Sequence, residues 1–336
     1  GSGPAGRRAE VRARRGDAAF AEGILVEALR DWADALAELD AAAEPRRTAE
    51  LRRKMGAAAW AAGEKRTSLE HLERGLEALD GDLDNLEAAR LHDELARIHF
   101  RLGDTARATE SSTRALELGE RLGAADVIAS SCNALGGALA RAGELERGIE
   151  QVLRALATAL DHGLGSAACR AYANLAVMYT TLDHLRSRDY CRDGLALAQR
   201  IGDQLHQSWL HCALAGGHCT LAGDYDEGVR AAETAAEIDR RLGQRSHLPI
   251  PLILLGQILQ CRGEYDRSER HYREALAVAD ETGEPQFLCP CYEGLATLAV
   301  ERGDESEAEE WLERSRALRE AAGWSRDTFL VLPFLC

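Results

Sequence analysis

Glycine recurs at a fixed distance along this chain. Gly23, Gly63, Gly103, Gly143, Gly223, Gly263 and Gly303 stand 40 residues apart, or 80 across one missing member. At the skipped slot Asp183 stands in place of glycine. A second series, Gly123, Gly163, Gly202, Gly243, Gly283 and Gly323, falls between them at about the same interval, with Gly202 one residue early. A glycine closing a helix enters the left-handed region with no Cβ penalty. The Asp or Glu that follows most members of the first series favours the positive end of the next helix. Two such stops per period, separated by helical runs of about 15 residues, predict helix–turn–helix–turn repeated eight times.

Composition agrees with close-packed helices. The 336 residues are 46% hydrophobic and only 5% aromatic, with seven prolines. No alternating run of strand formers occurs, so essentially no sheet is expected. The net charge of −15 argues against nucleic acid or an anionic membrane as a partner of the surface as a whole. No stretch approaches the length of uncharged apolar chain that spans a bilayer. Nine cysteines without a pattern read as reduced thiols of a cytoplasmic protein. Residues 1–6, Gly-Ser-Gly-Pro-Ala-Gly, read as a cloning scar and linker, and their G-x-G-x-x-G follows no strand.

The residues around the turns resemble the tetratricopeptide repeat. That family places Leu-Gly on the first helix and small and aromatic residues on the second. Here Leu135-Gly136 precedes Gly148, Val152 and Ala155; Leu255-Gly256 precedes Ser268, Tyr272 and Ala275. Met55-Gly56 precedes Ser68, Leu72 and Gly75; Leu95-Ala96 precedes Ala108 and Ala115; Leu175-Ala176 and Tyr179 mark repeat five. The resemblance covers 7–323 and implies one all-α, right-handed α-solenoid of about eight repeats. The period of 40 exceeds the usual 34, so the helices are expected to be longer. Repeat five loses a residue near Leu182-Asp183-His184-Leu185 and places Arg188 near a small position, which predicts a local irregularity. The apolar tail, 324–336, is expected either to fold back as a cap or to begin a truncated ninth repeat.

The resemblance also implies that the first helix of each repeat lines a concave groove. The groove positions are Phe20 in repeat one, Arg53 and Trp60 in repeat two, and Arg90, Arg97, Phe100 and Arg101 in repeat three. Asn133 and Arg141 follow in repeat four, and Arg170 and Asn174 in repeat five. Repeats six to eight contribute Leu210, Leu221, Ile250, Ile253, Gln257 and Gln260. Arginine forks hold carboxylates bidentately, aromatics anchor apolar side chains, and carboxamides bond a peptide backbone. The expected ligand is a protein or peptide with acidic residues and apolar anchors. Pairing with neighbouring Asp and Glu is the alternative role for each arginine, Arg97 beside Asp93 and Glu94 above all.

Catalytic chemistry finds no foothold. No phosphate loop, H-E-x-x-H or G-x-S-x-G occurs. His211-Cys212, His218-Cys219 and Cys289-Pro290-Cys291 suggest zinc, but Cys212 and Cys219 fall on buried repeat positions, so neither metal nor cofactor is expected. The carboxylates are expected on solvent faces. The chain therefore reads as a binding scaffold or sensor module, not an enzyme, and as part of a larger signalling protein. A peptide-sensing regulator and a self-association module using the apolar tail are the alternatives.

Overall fold

A computed structural model describes residues 4–40, 43–180 and 182–322. The expected cap or ninth repeat at 324–336 lies outside the described residues, as do residues 1–3 of the linker and Gly323. Sixteen helices form eight antiparallel pairs, and no strand occurs among the described residues. The first four pairs are α1 (Pro4–Ala21) with α2 (Leu25–Ala37), α3 (Pro45–Ala61) with α4 (Lys65–Ala78), α5 (Leu86–Arg101) with α6 (Thr105–Leu122), and α7 (Ala125–Arg141) with α8 (Leu145–Asp161). The last four are α9 (Gly165–Tyr179) with α10 (His184–Ile201), α11 (Gln204–Ala222) with α12 (Tyr225–Leu242), α13 (Pro249–Cys261) with α14 (Tyr265–Thr282), and α15 (Pro285–Glu301) with α16 (Glu305–Ala321). The fold is an all-α solenoid. It divides into two compact units, Gly1–Ile98 with Glu110–Ser131 and His99–Thr109 with Cys132–Cys336.

The turn glycines do what the sequence requires of them. Gly103 and Gly143, for example, have φ of +84° and +90°. The acid that follows acts in one of two ways. Asp104, Asp224 and Asp304 each accept a hydrogen bond from a backbone N–H in the next helix's first turn. Glu64, Glu144 and Glu264 occupy the same slot without a side-chain cap. The shorter side chain places its oxygen at the helix end, as helix capping requires.

Asp183 corrects the sequence reading. It is no substitute for glycine but the acid of the next slot, arriving one residue early. Its φ is −156° and its side chain accepts from the N–H groups of Leu185 and Arg186. One residue has been lost before it, so Gly163 to Gly202 spans 39 residues. The register returns within α11, which at 19 residues is longer than α7 or α9. The shift also displaces Arg188. Ser187, buried, fills the small position and donates to the carbonyl of Ala176, while Arg188 points to solvent. Ser68 and Ser268 make the same bond to Gly56 and Gly256.

The small residue after Leu or Met admits the second helix. A Cβ at Gly56 would lie 2.8 Å from Leu72, at Gly136 2.5 Å from Val152, and at Gly256 2.8 Å from Tyr272. Glycine also serves contacts between repeats: a Cβ at Gly75 would meet Leu91, and one at Gly194 would meet Leu210. In the first unit, Trp32 is the centre of a cluster with Ala19, Leu51 and Met55. In the second, Tyr272 lies among Ile253, Leu255, Leu288 and Leu295.

Candidate functional site

In the first unit the arginines expected in the groove each meet a carboxylate of their own chain. Arg53 Nε lies 2.5 Å from Glu87, Arg90 Nη2 3.1 Å from Asp126, and Arg97 Nη1 3.0 Å from Glu94. These are partly exposed pairs, of the kind that contributes little to stability. Phe20, 38% exposed, stands 5.6 Å from the ring of Trp32, whose indole N–H donates to Asp17. Trp60 is half-buried. Asp93 accepts from Ser130 and Ser131.

The second unit brings three sequence-expected residues together and adds two that the sequence reading missed. Arg141 lies over the ring of Phe100, 3.7 Å from its centroid, and donates to the Phe100 carbonyl. It also donates to Gln286 Oε1 at 3.3 Å. Arg101 grips Glu284 with both arms of its fork, Nε to Oε2 at 3.2 Å and Nη2 to Oε1 at 2.7 Å. Gln286 Nε2 closes the network by donating to Glu284 Oε2 at 2.9 Å. The last turns of α5 and α7 thus meet the start of α15, across 183 residues of chain between Arg101 and Glu284. Burial drives the Arg141 guanidinium down to about 10.

Glu284 corrects the expectation that carboxylates sit on solvent faces. It is 2% exposed, and Asp239 is wholly buried. Each carried a sequence signal. Glu284 precedes Pro285 at the start of α15, and its carboxylate makes no cap bond there but pairs with Arg101. Asp239 falls in the last turn of α12, where the helix dipole disfavours an acid.

Asn133 and Asn174 lie at nearly equivalent points of α7 and α9. Asn174 Nδ2 donates to Asn133 Oδ1 at 3.2 Å. Arg170, half-buried, precedes Asn174 by one turn of α9. The apolar groove candidates Leu210, Ile250 and Ile253 are buried, as is Gln257, so they pack the core. The side chains of Leu221, His218 and Cys219 lie outside the described residues. Cys212, Cys289 and Cys291 are buried, and burial raises the thiols of all three, Cys289 to about 11. Among the described residues no cluster of His, Cys, Asp and Glu could hold a metal ion, and no helix is long and apolar enough to cross a membrane.

Five histidines set an acid limit on the fold. Burial is the largest influence lowering the pKa of His71, His92, His206, His211 and His271. For His206 it outweighs the opposing hydrogen bond to Asp203. Each group binds a proton less readily folded than unfolded, where the ordinary value is 6.5. Their contribution is therefore fully present above that pH and is lost as pH falls below it. The urea midpoint should drop from pH 7.5 to pH 5.5; an unchanged midpoint would contradict the burial of these rings.

Residues 208–281 and 248–321 match the tetratricopeptide repeat family model. These matches place tetratricopeptide repeats within residues 208–321. Solved solenoids are similar over most of its length. A Rap protein complexed with competence and sporulation factor matches at a TM-score of 0.67 and 15% identity, over 87% of this chain and 80% of that one. Aspartyl phosphate phosphatase F from Bacillus subtilis matches at 0.66 and 14%, over 82% and 72%. NprR in complex with its cognate peptide NprX matches at 0.55 and 15%, over 78% and 77%. At these identities the likeness is one of fold. No curated protein matches the chain by sequence.

Proposed function

We propose that the chain is a peptide-binding scaffold or sensor module, and that its ligand lies along the first helices of the repeats. The observation that carries this reading is the polar strip of the second unit. Asn133 and Asn174 offer carboxamides from consecutive first helices, and Arg170 stands one turn away on α9. A carboxamide both donates and accepts, which is what an extended peptide backbone needs. Arginine beside it favours acidic ligand residues. Two of the similar solenoids were solved with a peptide or a named factor bound, which supports a ligand of that class. The setting is a cytoplasmic regulatory protein, and the activity is binding rather than turnover.

The test is selection of peptides from a displayed library by the full chain, followed by affinity measurement on two variants. Arg141 is a poor choice for charge reversal because it is 3% exposed and bonded on two sides. Arg170→Glu and Asn174→Ala alter more accessible groups. Each is expected to weaken the selected peptides by about tenfold or more, the scale of losing a hydrogen bond to a charged group. Helicity should stay at the wild-type value. Equal affinity in all three proteins would remove the strip from the binding site.

A further inference from the structure

Glu284 is an unusual partner for Arg101. A buried carboxylate gripped by an arginine fork is the arrangement with which arginine recognises an acidic ligand. Here the chain supplies that carboxylate itself. Both fork bonds are made, and the second oxygen is also held by Gln286. Arg101 remains 28% exposed along its side chain, whereas Glu284 is 2% exposed. Arg141, stacked on Phe100, adds a second cation beside the network. Breaking the contact would leave a buried carboxylate uncompensated unless another cation or water reached it.

We propose that Glu284 is a built-in occupant of a carboxylate subsite at Arg101, and that an acidic side chain of the bound peptide takes its place. This inference rests on the peptide-binding reading given above. Because Glu284 occupies the N-cap position of α15 while Arg101 ends α5, exchange of carboxylates releases the start of α15 from that helix end. Ligand binding and release of that contact are then linked, and the bound acid must compete with an internal one.

The experiment uses fluorescein-labelled hexaglutamate as the probe and the full chain as the receptor, read by fluorescence anisotropy. Glu284→Gln removes the internal charge at nearly constant shape. Glu281→Gln makes the same change in net charge three residues away, where Glu281 pairs with Arg245 on the surface. The expected result is about tenfold tighter binding to Glu284→Gln than to wild type or Glu281→Gln, because the apparent affinity is reduced by the fraction of sites already filled. Adding Arg101→Gln should abolish the gain. Glu284→Ala serves as a second variant should the melting temperature of Glu284→Gln fall. Equal binding to the Glu284 and Glu281 variants, or none to either Glu284 variant, would overturn the proposal. If Arg170→Glu still weakens the selected peptides while Glu284→Gln gains nothing, the groove stands and the internal occupant does not.

Discussion

Replacing Tyr272 by alanine should lower the stability of the second unit by about 3–5 kcal/mol, the range for emptying a large buried aromatic site. Tyr272 is 0% exposed and is wedged between two helices that carry glycine where it touches them. Gly256 belongs to its own repeat and Gly294 to the next, so one side chain joins both helices of repeat seven to the first helix of repeat eight. Its hydroxyl donates to Gln260, so the phenol is also oriented. The converse substitution is equally informative. A Cβ at Gly294 would fall 2.3 Å from the Tyr272 ring, far inside contact distance. Gly294→Ala should therefore cost about 1–3 kcal/mol by overpacking. The double variant Gly294→Ala/Tyr272→Ala should be more stable than the sum of the two losses, because the new methyl enters vacated space. Urea unfolding followed by circular dichroism measures all three. A neutral Gly294→Ala would mean that the ring does not sit against that helix.

His247→Phe should cost about 3–5 kcal/mol, the scale for stranding one member of a buried ionisable pair. Asp239 is wholly buried, with Oδ2 lying 2.7 Å from His247 Nδ1. Trp209 stacks on the imidazole at 4.3 Å, and Ser208 lies 3.4 Å from the same nitrogen. Asp239 Oδ1 and His247 Nε2 have no hydrogen-bond partner among the described residues. The pair is thus held by a single short contact, and phenylalanine keeps the stacking while removing it. Asp239→Leu/His247→Phe removes both polar groups together and should recover most of the loss. If the single and double variants were equally unstable, the cost would come from packing around Trp209 and not from the carboxylate.

Most of the fold was legible because repetition amplifies weak local signals. One glycine is a poor helix stop, but thirteen at two interleaved intervals leave little else to build. The small positions were equally plain at Gly56, Gly136 and Gly256, since each faces a larger residue 16 positions on. The lost residue of repeat five was legible near Leu182-Asp183-His184-Leu185. Asp183 itself fell on the expected glycine number, and an arithmetic register alone cannot say whether it fills that slot or the next. Capping chemistry can, because only the early-arriving acid explains the bonds to Leu185 and Arg186.

The site was less legible. Periodicity placed Phe100, Arg101 and Arg141 on candidate faces, yet it carries no information about which distant helix ends meet. Glu284 and Gln286 therefore stayed invisible as partners, although Glu284-Pro285 is an odd helix start for a carboxylate that does not cap. The arginines of the first unit could be placed on helices but not assigned a role. Their carboxylate neighbours Glu87 and Asp126 come from the following first helix, one period away.

The lost residue before Asp183 and the gained one inside α11 divide the chain into reading frames, much as insertions do in a gene. Repeats one to four and seven to eight share one frame, while α10 stands in another. A lineage can duplicate or drop a whole 40-residue unit without harm only where both breakpoints lie in the same frame. A crossover with one end inside α10 would slide Arg188 into the pocket that Ser187 fills and leave the following helix out of phase with its neighbour. The frame shift thus restricts where recombination can cut: breakpoints in the shared frame keep the register even with α10 between them, because Gly143 to Gly263 is 120 residues, and a single breakpoint inside α10 does not.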